Sequence, residues 1–215
     1  MGGGGDSIFL RRFKELDLDN IVELACGHGR HVPKYMEDAG HITLVDVNQE
    51  NIDFCQRRFN GNSKISFSLT SGNTFQGLPD AAYSAIFSYD SMMHFNLIDV
   101  ATYINDAWRI LKPGGKILFH HSNYYDAPVG NFYFQNPYGR NFCSDRIFAH
   151  LATTGGFEVL SQDLIDWGAD NPMQGLDCLS LCQKREDYFS PCQKAMEERK
   201  ARALAQIRQK MMKRL

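Results

Sequence analysis

Two groups of residues in this chain have the types and spacing to do chemistry. The first is the run Ile21-Val22-Glu23-Leu24-Ala25-Cys26-Gly27-His28-Gly29-Arg30, followed by Val45-Asp46-Val47. An apolar stretch runs through an acid into a glycine-paired turn, and a second apolar stretch ends in Asp46, 19 positions after Gly27. Glycines admit a ligand close to the backbone because no Cβ intrudes. A carboxylate at the tip of the next parallel strand can grip the two hydroxyls of a ribose. The pattern predicts a nucleoside held across the carboxyl ends of adjacent strands.

The second group is histidines. His94 follows the fourth apolar stretch, and His120-His121 closes the fifth. A histidine near its unperturbed pKa of about 6.5 can take a proton from a hydroxyl near neutrality. Neighbouring strand residues point to opposite faces, so only one of His120 and His121 can aim at a site directly. His121 and His94 are the expected bases. Asp90 either orients one of them or caps the short helix that follows.

These residues need a frame. An amphipathic helix over 6–16 puts Ile8, Phe9, Phe13 and Leu16 on one side. Strands are predicted at 21–25, 42–47, 65–69, 83–89 and 116–120, alternating with helices at 31–39, 49–59 and 100–111. The last helix is stopped by Lys112-Pro113-Gly114-Gly115. A helix at 144–154 is followed by strands at 157–166 and 176–183 with no helix-length segment between them, so those two pair antiparallel. The expected fold is α/β: a Rossmann-like doubly wound sheet, mostly parallel with an antiparallel C-terminal hairpin and helices on both faces.

A chain of 215 residues fits one domain, expected over 20–184 after a glycine-rich segment and short helix at 1–19. A net charge of −2 excludes a molecule that binds nucleic acid by bulk electrostatics. No apolar run approaches the ~20 residues of a membrane span. The start shows no secretory signal, so a cytoplasmic protein with six reduced cysteines is expected. Cys178 and Cys182 read as two apolar positions on one face of a strand. The tail over 185–215 is basic, with a helix from Ser190 whose Leu204, Ile207, Met211 and Leu215 repeat at helical spacing. It is expected to pack one stripe on the domain or to contact another domain or subunit.

In their order and spacing these pieces resemble the class I S-adenosylmethionine-dependent methyltransferases, over roughly 20–184. Glu23 to Gly29 is similar to that family's first motif, with Ala25 where the pattern usually has a glycine. Asp46 matches the acid on the ribose. Ser71-Gly72-Asn73-Thr74-Phe75 stands where the family contacts adenine, with Asn73 in place of a frequent Asp. Ile86-Phe87-Ser88-Tyr89-Asp90 resembles the fourth motif, and Leu111 to Leu118 the turn before the fifth strand. The resemblance implies S-adenosyl-L-methionine as cofactor, held by Glu23, Ala25, Gly27, Gly29, Arg30, Asp46, Val47, Gly72, Asn73, Thr74 and Tyr89. Glu23 and Arg30 would meet the methionine end, Arg30 by a two-pronged bond to its carboxylate. A nicotinamide-dependent dehydrogenase would want a third glycine where Val32 stands. The fourth motif also lacks the Asn/Asp-Pro-Pro-aromatic signature of enzymes that methylate nucleic-acid bases.

The insert from Asn123 to Cys143 carries seven aromatic residues, among them Tyr124, Tyr125, Phe132 and Tyr138. It reads as a substrate lid, with His120, Asn123, Tyr124 and Arg140 as acceptor contacts. No metal is expected, since Asp90, Asn123 and Asp126 would have to be stretched to form a site. The expected activity is O-methylation of a small-molecule or glycan-like hydroxyl. The alternatives are N- or C-methylation of another metabolite, or a cofactor-binding scaffold without turnover.

Overall fold

Continuous runs of β-branched and aromatic residues form the buried strands of one seven-stranded sheet. They are β1 (Asn20–Leu24), β2 (His41–Asp46), β3 (Ile65–Leu69), β4 (Tyr83–Ser88), β5 (Leu111–Ser122), β6 (Phe157–Ile165) and β7 (Asp177–Lys184). The computed structural model describes residues 4–126, 133–166 and 174–186, together with 199 and 202. Apart from those last two positions, the expected basic helix over 190–215 lies outside the described residues, as does Phe132 of the insert.

The strand order is β3-β2-β1-β4-β5-β7-β6. The first five strands run parallel, and β7 runs antiparallel to both β5 and β6. The order reverses between β1 and β4, which opens a crevice at the carboxyl ends of the strands there. Helices α1 (Gly4–Phe13) and α2 (Gln49–Arg58) cover one face, packing on Ile21, Leu44, Phe87, Leu118 and Leu181. Helices α3 (Leu97–Ile110) and α4 (Asp145–Thr154) cover the other, on Val22, Ile86, Phe119 and Cys182. The doubly wound expectation therefore holds, with the C-terminal hairpin in place. Cys178 and Cys182 are buried on the α3/α4 side, and burial pushes both thiols up to about 12.

Three expectations are corrected. The helix over 31–39 is reduced to one 3-10 turn, Val32–Lys34. Pro33 has no N–H to continue a ladder, and the buried Glu23 carboxylate draws in this segment. It accepts from Tyr35 OH at 2.7 Å and meets His31 Nδ1 at 3.1 Å. Helix α3 starts at Leu97 rather than 100, because the Asn96 side chain accepts from the Asp99 N–H at 2.9 Å. Strand β5 starts at Leu111, paired with Tyr83, and Lys112 to Gly115 form an excursion before pairing resumes at Lys116 with Ala85.

Helix α1 lies against the face that the short 3-10 turn leaves uncovered. The Phe9 and Phe13 rings sit 6.0 and 5.1 Å from Phe87, and Arg12 Nε reaches Asp163 on β6 at 2.7 Å. Among the described residues no helix is long and apolar enough to cross a membrane.

Candidate active site

The site grows from the turn after β1. Ala25, Gly27 and Gly29 all have positive φ, at 58, 54 and 65°. For Ala25 this is a conformation that costs an L-residue roughly 1–2 kcal/mol. The two glycines serve different ends. A Cβ on Gly29 would lie 2.6 Å from the Phe59 ring, whereas one on Gly27 would meet nothing within 4 Å. Gly27 thus opens onto a trough. Its N–H donates to Asp46 Oδ2 at 2.9 Å, and its carbonyl accepts from Cys55 Sγ at 3.2 Å. Asp46 Oδ1 accepts from the Asn48 N–H at 2.9 Å and from Asn51 at 3.1 Å, so its carboxylate is aimed by three donors at the tip of β2.

Three cavities lie end to end along these strand tips. The first, of about 400 Å³, is walled by Leu24, Ala25, Asp46, Val47, Gly72 and His94. Phe95, Asn96, Asp99, Tyr103 and Asn141 complete it; the sequence reading missed these, since they come from the start of α3 and the far end of the insert. The second, of about 570 Å³, lies over Ala25 and Gly27 and reaches Arg30, His31, Tyr89 and Asp90. The third, of about 610 Å³, shares those last four residues and runs under α1 between Phe9, Phe13, Phe87 and Lys34.

The expected cofactor residues fall into two sets. Ala25, Gly27, Arg30, Asp46, Val47, Gly72 and Tyr89 line the cavities. Glu23 is buried against His31 and Tyr35, and Gly29 against Phe59. Asn73 accepts from Ser71 Oγ at 3.0 Å, and the Thr74 carbonyl accepts from Thr70 Oγ1, so both shape the loop beside Gly72. Arg30 meets Asp90 Oδ2 at 2.6 Å.

The histidines separate sharply. His94 ends a 3-10 turn after β4 and lines the first cavity, its Nδ1–H donating to the Gly139 carbonyl at 2.6 Å. The insert also grips this turn through Asn141, which donates to the Met93 and His94 carbonyls at 3.0 and 2.8 Å. His121 is wholly buried. It stacks on Phe148 at 4.0 Å and bonds Ser180 Oγ at 2.8 Å, and burial pulls it down to about 3. Its ring faces α4, away from the cavities, so the structure does not bring it to the site.

His120, on the opposite face of β5, lies between Asp90 at 3.3 Å and Asp177 at 3.4 Å. Burial lowers its basicity, but the Asp177 and Asp90 carboxylates outweigh that and raise its pKa. Burial would raise both acids, yet each is held below the usual carboxylate range, Asp177 by His120 and Arg140, Asp90 by His120 and Arg30. Arg140 clamps Asp177 through Nε at 3.0 Å and Nη2 at 2.6 Å. Asn123 donates to the Gly175 carbonyl at 2.6 Å and accepts from the Asp145 N–H at 2.9 Å, and Tyr124 is buried. The four expected acceptor contacts are therefore engaged with the protein itself. Among the described residues no three His, Cys, Asp or Glu side chains cluster as a metal site.

Known proteins share this frame. Residues 21–115 match a family model described as "Methyltransferase domain". The demethylmenaquinone methyltransferase of Tropheryma whipplei (strain Twist) is 22% identical over 153 residues, which is 69% of this chain and 60% of that protein. The chain thus spans about 60% of the length of the first curated relatives it matches. A solved S-adenosylmethionine dependent methyltransferase from Mesorhizobium loti is similar at a TM-score of 0.68 and 16% identity, covering 85% of this chain and 99% of that one. The geranyl diphosphate C-methyltransferase from Streptomyces coelicolor A3(2), solved with S-adenosyl-L-homocysteine among its ligands, is similar at 0.66 and 13% identity over 83% and 77% of the two chains. At these identities the structural likenesses are likenesses of fold.

Proposed function

We propose that this chain, a member of the class I S-adenosylmethionine-dependent methyltransferase family by its matched domain and strand order, methylates a hydroxyl on a small-molecule acceptor. The observation that carries this reading is Asp46, held by three donors on the wall of a cavity that meets, at Ala25, the cavity over Gly27. The fit to the cofactor is physical: a carboxylate at the tip of β2 suits a ribose, and an open glycine suits close backbone approach. Asp46 would hold the ribose hydroxyls, and Val47, Gly72 and Phe95 the base. Ala25, Gly27 and Arg30 would hold the amino-acid end. When bound, S-adenosylmethionine supplies an activated methyl group for in-line displacement.

The residues of the chain align the acceptor, exclude water and accept its proton. Of the two expected bases, His94 lines the cavity. Its bond to the Gly139 carbonyl places a ring proton on Nδ1, because a carbonyl can only accept, and fixes the ring beside the cavity.

Asp46→Ala should weaken S-adenosyl-L-homocysteine binding by at least roughly tenfold, about 1.4 kcal/mol, in calorimetry. Unchanged affinity would sink the ribose assignment. Transfer of radiolabelled methyl to a panel of hydroxyl-bearing small molecules tests turnover, and a complete absence of transfer with cofactor bound favours a silent scaffold. Once an acceptor is in hand, His94→Gln should lower kcat at least roughly tenfold while cofactor affinity holds. A variant that keeps full turnover removes His94 from the role of base.

A further inference from the structure

We propose that the aromatic cavity under α1 holds the body of the methyl acceptor, and that this acceptor is a small anionic amphiphile: an apolar chain or ring carrying a carboxylate or phosphate. The proposal rests on the methyl-transfer reading above. Its first support is continuity. Arg30, His31, Tyr89 and Asp90 line both this cavity and the one over Gly27, which in turn meets the nucleoside cavity at Ala25. A molecule lying under α1 therefore borders the amino-acid end of the cofactor trough.

The second support is the wall. Phe9 of α1 stacks on Tyr89 at 4.1 Å and Phe13 meets Phe87 edge-on at 5.1 Å, so these four rings form one packed aromatic wall of the cavity. The space, about 610 Å³, is of the size that takes small organic ligands, and it exceeds the nucleoside cavity. It lies beside the single 3-10 turn Val32–Lys34, bounded by that turn and by the rings that α1 packs on the sheet. Polar atoms in that wall are already engaged. The Tyr35 hydroxyl donates to Glu23 at 2.7 Å. Such a wall rewards apolar surface and offers little to the many hydroxyls of a glycan.

The third support is charge. Arg30 and Lys34 line the cavity with a single acid, Asp90, which is bound to Arg30 at 2.6 Å and to His120 at 3.3 Å, while His31 Nε2 accepts from Arg30 Nε at 3.0 Å, so the charge left over is that of Lys34. Lys34 is exposed and makes no ion pair among the described residues. A cationic rim over an aromatic floor matches a molecule with an anionic group and an apolar body.

The test is calorimetry on the full chain with four ten-carbon probes: decanoate, decyl phosphate, decanol and decyltrimethylammonium. The two anions should bind at least roughly tenfold more tightly than the cation, with decanol between. Which anion binds more tightly assigns the head group. Lys34→Glu should weaken decanoate roughly tenfold and leave S-adenosyl-L-homocysteine affinity unchanged. Because Lys34 is exposed, that variant reports on the rim rather than on folding. A tryptophan placed at Leu10, on the cavity lining, should shift its emission on adding decanoate. Equal affinity for all four probes, or no binding while S-adenosyl-L-homocysteine still binds, overturns the acceptor proposal and leaves methyl transfer standing. Decanoate binding in a protein that fails to bind S-adenosyl-L-homocysteine overturns methyl transfer, and with it the role of this cavity as an acceptor site.

Discussion

The two faces of the sheet meet the end of β5 with the same residue type and opposite solutions. On the α1 side, His120 stands in a line of alternating charge, Arg30-Asp90-His120-Asp177-Arg140, that runs from the cofactor trough to the insert. On the α4 side, His121 lies flat on Phe148, bonded to Ser180 and the Ser122 carbonyl, with no carboxylate in contact. Burial disfavours the imidazolium in both. Two acids reverse that for His120 and nothing does for His121, so one is raised and the other falls to about 3. Adjacent histidines are thus shifted in opposite directions because β5 separates a polar seam from an apolar layer.

The largest way to break this contrast is Asp177→Ala. It leaves the buried His120 and the half-buried Arg140 without their shared acid and should cost about 3–5 kcal/mol, read from urea denaturation. A loss below about 1 kcal/mol would mean that the seam contributes little to holding the insert against β5.

A smaller effect sharpens the other side. The His121 pKa is lowered on folding, so the neutral ring contributes stability that is fully present above about pH 6.5 and is lost as pH falls toward 3. Between about pH 7.5 and 5 that loss is about 2 kcal/mol. His120 has the opposite sign: its contribution is present in acid and fades as pH rises through its raised folded value. His121→Phe keeps the stack on Phe148 and leaves Ser180 Oγ accepting from Gln162 at 3.1 Å. Denaturation at the two pH values should therefore show the acid loss reduced by about 2 kcal/mol in the variant. An unaltered pH difference would mean that His121 is not the group being protonated.

Much of the glycine turn and its acid was legible in the sequence. Gly27 lies in the turn after β1 and Asp46 ends β2, the parallel neighbour of β1, so both fall at the same edge of the sheet, and they bond at 2.9 Å. The antiparallel hairpin followed from the lack of a helix-length segment between its strands. The charged seam beside the glycine turn was hidden. Arg140 and Asp177 are 37 positions apart with no local signal to pair them. Asp177 opens a strand whose Cys178, Leu179, Leu181 and Cys182 are apolar, a hint that an acid there needed partners. The helix expected over 31–39 is replaced by one 3-10 turn, because Pro33 interrupts its ladder and an acid from β1 engages its side chains. Glu23, eight residues before His31, competes for this segment's side chains.

The sequence by itself determined the alternation of strands and helices, the positive-φ turn after β1 and the acid at the tip of β2. These rest on backbone sterics, apolar periodicity and contacts between neighbouring elements. Which of two adjacent histidines is neutral, which acids are paired and where an aromatic cavity opens were decided only in the tertiary structure. Those properties depend on desolvation and on charges brought within a few ångströms from remote parts of the chain, and neither is a function of local spacing.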